Sequence, residues 1–221
     1  MAGGVKANGP RRAYHSPLRA DQAQQTRRRV LEAARRLFIE RGYAGTTVAA
    51  VADHAGVSPE TIYLALGGKR GLLEGVMDIT GPHDTAADDD KWWAMVAQLA
   101  SASERLAKMV EYSCRILART WRIHAIIRGA ADKEAFAAAL GRRLLDERLA
   151  SQTERIRRYL ADDLRPGLSA PVAGERYCAL ASPELYHLLT VQLDWTAAQH
   201  RTWLTRLLHT ELLGACLDDD H

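Results

Sequence analysis

Long apolar runs are missing. Nowhere in the 221 residues do about 18 apolar residues follow one another, and the N-terminus lacks the charged-then-apolar pattern of a secretory signal. The expectation is a cytoplasmic protein with no membrane partner. Cysteine is scarce: Cys114, Cys178 and Cys216 stand far apart, odd in number and without Cys-x-x-Cys spacing, so they read as small buried apolar residues in a reducing compartment. No β-rich stretch or internal repeat occurs. The motifs of common catalytic sites are also missing: no G-x-S-x-G, no H-E-x-x-H, no P-loop and no dinucleotide-binding glycine pattern. The sequence therefore offers no catalytic residue, no cofactor and no metal ligand set, and nothing in it supports an all-helical enzyme.

What is present is a helical chain. With 47% apolar and 26% charged residues it can bury one or two cores and lacks the composition of a disordered protein. Its charge is uneven. Residues 1–79 hold 12 Lys and Arg against 7 Asp and Glu, while the rest holds 18 against 20. A basic head and an electrically ordinary body suit a protein whose head faces phosphate, although basic residues on a helix also serve simply as a solvated face.

The stretch Thr46–Leu73 organises the chain. Thr46 and Thr47 precede Val48, Val51, Ala52 and Ala55, whose spacing makes one apolar stripe on a short helix that Gly56 stops. Ser58 can cap a second helix by taking a free backbone N–H, and Pro59 fits its first position, where a missing N–H costs nothing. Ile62 and Leu66 then point inward, one turn apart, leaving Glu60, Thr61 and Leu64 to point elsewhere. Helix, short glycine-containing turn, helix is the pattern of a helix-turn-helix, whose second helix enters the major groove.

Upstream, residues 1–20 carry Arg11, Arg12 and Arg19 with no acidic residue and no apolar period. They read either as a disordered leader or as a basic arm for the minor groove. A long helix follows from about Asp21 to Arg41, with Val30, Ala34, Leu37 and Phe38 on one face, and Gly42 as its C-terminal stop. Arg27, near its start, is a candidate phosphate contact. So are Thr46, Thr47, Tyr63 and Lys69, whose hydroxyl and ammonium donors fix register on a duplex without reading it. Thr46 or Thr47 serves equally as a mere helix cap, and Tyr63 as a core aromatic.

These residues carry a family likeness. Gly42-Tyr43 and the Tyr63-x-x-Leu66-x-x-Lys69-x-x-Leu72-Leu73 spacing resemble the DNA-binding head of the TetR family of bacterial transcriptional regulators, over about Gln24 to Met77. The resemblance implies backbone contacts by Thr47, Thr61, Tyr63 and Lys69, with Pro59 and Glu60 beside the bases. Two departures stand out: Leu66 replaces the usual aromatic residue, and Gly67-Gly68 replaces a Pro-Ser type pair, which predicts a freer joint. The outward positions Glu60, Leu64, Ala65 and Val48 include no Arg, Asn or Gln, the side chains that pair bidentately with purine edges. Glu60 can accept from a cytosine amino group, and Leu64, Ala65 and Val48 can meet thymine methyls, so specificity would lean on shape, spacing and the arm.

The connecting helix from Lys69 to about Asp78 contains Gly71 and Gly75, each costing roughly 1 kcal/mol against alanine. It predicts a flexible joint, and the resemblance makes this helix the lever between body and heads. The fold expected is all-α: a flexible arm (1–20), a three-helix DNA-binding head (21–79) and a helical regulatory and dimerisation body (80–217). In the body, helices are predicted over about 89–100, then from the Ser101-x-x-Glu104 capping box to Arg122, over 132–161 after a break near Gly129, over 173–181, from Ser182-Pro183, and from Thr196 to about Leu217.

Two sites are expected in the body. Trp92, Trp93, Met95, Tyr112, Trp121 and His124 are large side chains on helices flanking the interior, suited either to core packing or to a ligand cavity, with Arg128 to hold an anionic group. His124 has no second ligating residue at metal spacing near it. The leucine-rich faces of the last helices, Leu185, Leu188, Leu189, Trp203, Leu204, Leu207, Leu208 and Leu212, pack within one protomer or against a second copy. The resemblance favours the second, because the family dimerises through its last two long helices; the elements at Ser182 and Trp195 also look like an actinobacterial-type branch. A dimer is needed for a palindromic double-stranded DNA operator with half-sites about 34–36 Å apart or a multiple of that. The expected function is a homodimeric, ligand-responsive repressor released by a small-molecule effector. The alternative is a DNA-binding regulator governed by a protein partner, or constitutive.

Overall fold

The computed structural model describes residues 17–81 and 86–214. Arg11, Arg12, the side chain of Arg19 and Cys216 lie outside the described residues. Helix α1 (Pro17–Gly45) begins four residues before the sequence pattern suggests and loses helical geometry at Gly42 (φ 68°, ψ 176°), where the sequence places its stop. Then come α2 (Val48–Ala55), α3 (Pro59–Leu66) and α4 (Lys69–Thr80). Both short helices are set by local chemistry. Thr47 Oγ1 accepts from Ala50 N at 3.1 Å, Ser58 Oγ from Thr61 N at 3.3 Å, and Gly56 closes α2 in the left-handed region. Each cap is worth about 1 kcal/mol, enough to fix where an eight-residue helix starts.

The body consists of α5 (Ala86–Ala97), α6 (Ala102–Ala131), α7 (Ala135–Tyr159), a 3-10 turn (Ala161–Asp163), α8 (Ala170–Leu180), α9 (Pro183–His187) widening into a π turn (Leu188–Gln192), and α10 (Ala197–Leu213). The Ser101–Glu104 capping box opens α6, and a Thr196–Gln199 box opens α10. The break expected near Gly129 falls at 132–134, three residues further on, so Gly129 itself is helical. Helix α6 passes through it because Ile123, Ile127 and Ala130 are buried along one face, and that burial outweighs the roughly 1 kcal/mol glycine cost. Helix α10 ends at Gly214 (φ 78°), three residues short of the expected boundary.

Two apolar cores hold the chain. The first joins Leu31, Leu37 and Phe38 of α1, Val51 of α2, Ile62 of α3 and Leu72 and Val76 of α4, and it closes over Ile123 and Ile127 of α6 and Leu140 of α7. The head is therefore packed onto the body along the C-terminal half of α6. The second core gathers Leu106, Met109 and Val110 of α6, Ile156 of α7, Tyr177 of α8 and Leu204, Leu208 and Leu212 of α10.

The glycines of α4 mark close approach rather than looseness. A methyl group on Gly71 would lie 1.6 Å from the Leu66 carbonyl oxygen, and one on Gly75 would lie 2.7 Å from a Leu31 methyl. Gly67 and Gly68 both take positive φ, 71° and 89°, a pairing that side chains disfavour. The sequence reads these four as hinge freedom; the structure uses Gly71 and Gly75 for close packing of α4 against the end of α3 and against α1, and Gly67 and Gly68 for the positive-φ turn between α3 and α4.

Candidate nucleic-acid interface and effector cavity

Helix α3 turns Ile62 wholly inward, at 1% exposure, and pushes Leu64 outward, at 93%. Tyr63 is also exposed, at 59%, and Glu60, Thr61 and Ala65 complete the outer face. Leu64 is a large apolar side chain standing in water, so the packing of the head does not require it. Ser58 serves both as cap and as partner of Thr61, with their hydroxyl oxygens 3.2 Å apart. Pro59 is half-buried at the first turn. The carboxyl of Glu60 is held below its usual range by hydrogen bonding to its own backbone and to Ser58, so it stands ionised at the helix N-terminus and offers only acceptor oxygens.

Around α3, the exposed Thr47 sits at the start of α2. Lys69 opens α4 with its Nζ 3.3 Å from the Ala44 carbonyl oxygen and 4.3 Å from the Tyr43 ring centre. Partial desolvation lowers its pKa, opposed by Glu134. Its ammonium is thus fixed at the edge of the α3 face.

Two expected DNA contacts are corrected. Thr46 is fully buried, its hydroxyl donating to the Leu37 and Gly42 carbonyl oxygens at 3.1 and 2.8 Å, so it ties α1 to the turn and cannot reach phosphate. Val48 is buried in the head core and has no side chain left for thymine. Arg27, by contrast, is exposed on α1, its guanidinium near Gly75 in a groove with Arg28, Arg35 and Ile79.

A half-open cavity of about 410 Å³ lies between the end of α4 and helices α5, α6 and α7. Of the expected residues, Tyr112 and His124 line it. Trp92 and Trp93 stand behind Tyr112, with ring centres 6.2 and 4.9 Å from it, and Trp93 stacks on Tyr159 at 5.5 Å; they support the wall as core. Met95 is exposed at 36%. Trp121 stacks on His187 at 5.0 Å, away from the cavity, and Arg128 pairs with Glu184 on the surface. Those three are not cavity residues.

Sequence reading missed the polar wall: Ser113 and Thr120 of α6, and Arg148, Gln152 and Arg155 of α7. Their spacing at 148, 152 and 155 falls on one helix face, a signal hidden by the many exposed arginines of that helix. Gln152 Nε2 donates to Ser113 Oγ at 3.5 Å, and Ser113 Oγ lies 3.0 Å from Tyr177 Oη. The Tyr112 hydroxyl donates to Asp89 at 3.0 Å. Its pKa is pushed up to about 12, first by burial and then by Asp89. His124 is pushed down to about 4 by burial, reinforced by Arg148. Both rings stay neutral at pH 7.

The expected dimer residues divide. Leu204, Leu208 and Leu212 are fully buried and Leu189 nearly so, Leu204, Leu208 and Leu212 within the protomer's second core, so none of these four side chains faces a second copy. Leu185, Trp203 and Leu207 are half-buried. Leu188 is exposed at 41%, joined by Val191 and Leu193 at 44% and 55%.

Two helices at a tight turn, the second presenting an exposed face, define a helix-turn-helix DNA-binding head on an all-helical body. Residues 30–76 match the family described as bacterial regulatory proteins, tetR family. By that match the head is similar to the DNA-binding region of tetR-family bacterial regulatory proteins. Over 58 residues it is 41% identical to the HTH-type transcriptional regulator TtgR of Pseudomonas putida, covering 26% of this chain and 28% of that protein, little more than a quarter of each. The fold extends further. A TetR-family structure from Rhodococcus sp. superposes with TM-score 0.66 at 19% identity, over 86% of this chain and 99% of that one. NalD of Pseudomonas aeruginosa, secondary repressor of a multidrug efflux pump, superposes with TM-score 0.63 at 17% identity, over 86% and 98%. No helix among the described residues is long and apolar enough to cross a membrane.

Proposed function

We propose that this protein is a cytoplasmic homodimeric repressor that binds a palindromic operator through α3 and leaves it when a small molecule occupies the body cavity. The observation that carries the DNA half is the outward face of α3, with Leu64 at 93% exposure beside Glu60 and Tyr63. The exposed Leu188, Val191 and Leu193 around the π turn supply an apolar patch for a second copy. The effector half rests on α6. This one helix lines the cavity with Tyr112, Ser113, Thr120 and His124 and buries Ile123 and Ile127 in the core that holds α1, α3 and α4. A ligand that shifts α6 therefore shifts the heads, and a coupling of about 1–3 kcal/mol suffices for a regulatory response. The cavity favours this over control by a protein partner.

The test combines two measurements. A metabolite library screened by thermal shift should yield ligands that stabilise the protein, and those ligands should release it from a bound operator in fluorescence anisotropy. Stabilising ligands that leave DNA binding untouched would remove the effector half. Failure to bind any duplex above a random competitor would remove the DNA half.

A further inference from the structure

Resting on the effector reading above, the chemistry of the cavity wall narrows the ligand class. Arg148 lines the cavity from α7 and is half-buried. Its Nε donates to the Cys178 sulfur at 3.2 Å, a weak acceptor, and it forms no ion pair within 4.0 Å among the described residues. A guanidinium partly removed from water and matched only to sulfur has an unmet charge. Its neighbour His124 is no counter-charge, since an imidazole is either neutral or cationic, and burial holds this one neutral. The carboxylates at the cavity are placed elsewhere: Asp89 is engaged by the Tyr112 hydroxyl, and Asp78 and Glu147 are exposed at the rim. The aromatic faces that would attract a cationic ligand are already covered, because the Arg155 guanidinium lies 4.5 and 4.9 Å from the Trp93 and Tyr112 ring centres. The apolar part of the wall comes from Met77, Ile116, Leu117 and Leu144, and neutral Ser113, Thr120, Ser151 and Gln152 add no charge.

We infer that the cavity takes an amphipathic organic anion, its charged head on Arg148 and its apolar part along Ile116, Leu117 and Leu144. Such a ligand supplies the acceptor oxygens that Arg148 lacks and fills a volume of about 410 Å³, within the usual range for ligand cavities.

The test uses three probes of one chain length: decanoate, decanol and decyltrimethylammonium, titrated calorimetrically into the full chain and into Arg148→Gln and Arg148→Lys. Decanoate should bind at least tenfold more tightly than either of the others. Arg148→Gln should abolish that preference, and Arg148→Lys should keep part of it. Thermal melts of the variants show whether the fold is intact; if Arg148→Gln melts early, the ranking of the three probes on the wild type and on Arg148→Lys decides. A cavity that prefers the alcohol or the cation, or that binds none of the three, overturns the inference, as does decanoate binding to a folded Arg148→Gln within twofold of wild type. Release of operator by a neutral or cationic probe would sink this inference while leaving the effector-controlled reading standing, so the two fail separately.

Discussion

Replacing Ile62 and Leu64 by alanine, one at a time, separates folding from recognition on a single helix. The two residues lie two positions apart in α3, one with 1% of its surface exposed and the other with 93%. Removing the Ile62 side chain leaves a hole among Phe38, Val51 and Leu72 of the head core, and large-to-small changes of this kind cost about 2–5 kcal/mol. Leu64→Ala removes atoms that touch only water in the free protein, so its stability should stay within about 0.5 kcal/mol of wild type. On DNA the order reverses. If Leu64 is buried against thymine methyls, it contributes about 1.5–3 kcal/mol, and Leu64→Ala should weaken operator binding by about 10- to 100-fold. Urea denaturation gives the first pair of numbers and fluorescence anisotropy on a selected operator gives the second. The reasoning is refuted if Leu64→Ala destabilises the fold as much as Ile62→Ala, or if it binds the operator like wild type.

Tyr63→Phe and Lys69→Ala should weaken binding almost uniformly across DNA sequences, and Lys69→Ala should lower the slope of log affinity against log salt by about 1; a changed sequence preference would show that these side chains read bases. Leu188→Asp with Val191→Asp should give folded monomers in light scattering, whereas Leu204→Asp should unfold the protomer, because Leu204 is wholly inside it; an unchanged dimer mass in the first variant would place the interface elsewhere. His124, pushed down to about 4 in the fold from an ordinary 6.5, takes up its proton first in the unfolded chain. Its contribution to stability is therefore lost as pH falls from about 6.5 to about 4, on the order of 3 kcal/mol in full. His124→Gln should flatten that part of the acid denaturation profile, and superimposable profiles would refute the assignment.

Much of this was legible because it is local. Thr47, Ser58, Ser101 with Glu104 and Ser182 each cap a helix that the sequence places correctly, since a cap needs only a side chain and a backbone N–H three residues on. The outward placement of Leu64 follows from α3 periodicity in the same way. What failed depended on how helices and turns pack against one another. Thr46 and Thr47 are identical in sequence terms, yet only the approach of the Leu37 and Gly42 carbonyls decides that Thr46 is interior. Gly71 and Gly75 look like loose points until the Leu66 carbonyl and Leu31 are brought against them. The tryptophans drew attention by size, while the cavity wall is made by Ser113, Arg148 and Gln152, which resemble any solvated residues until α6 and α7 face one another. The leucines of α10 show the same limit: periodicity marks a buried face without saying whether the protomer or a second copy buries it.

The central claim is that α3 is presented to duplex DNA in twofold-related pairs. Selecting genomic fragments with the purified protein tests it most directly. The expected result is enrichment of an inverted repeat whose half-site centres lie about 34–36 Å apart, or a multiple of that. Recovery of no enriched sequence, or of a single unrepeated half-site, would contradict it.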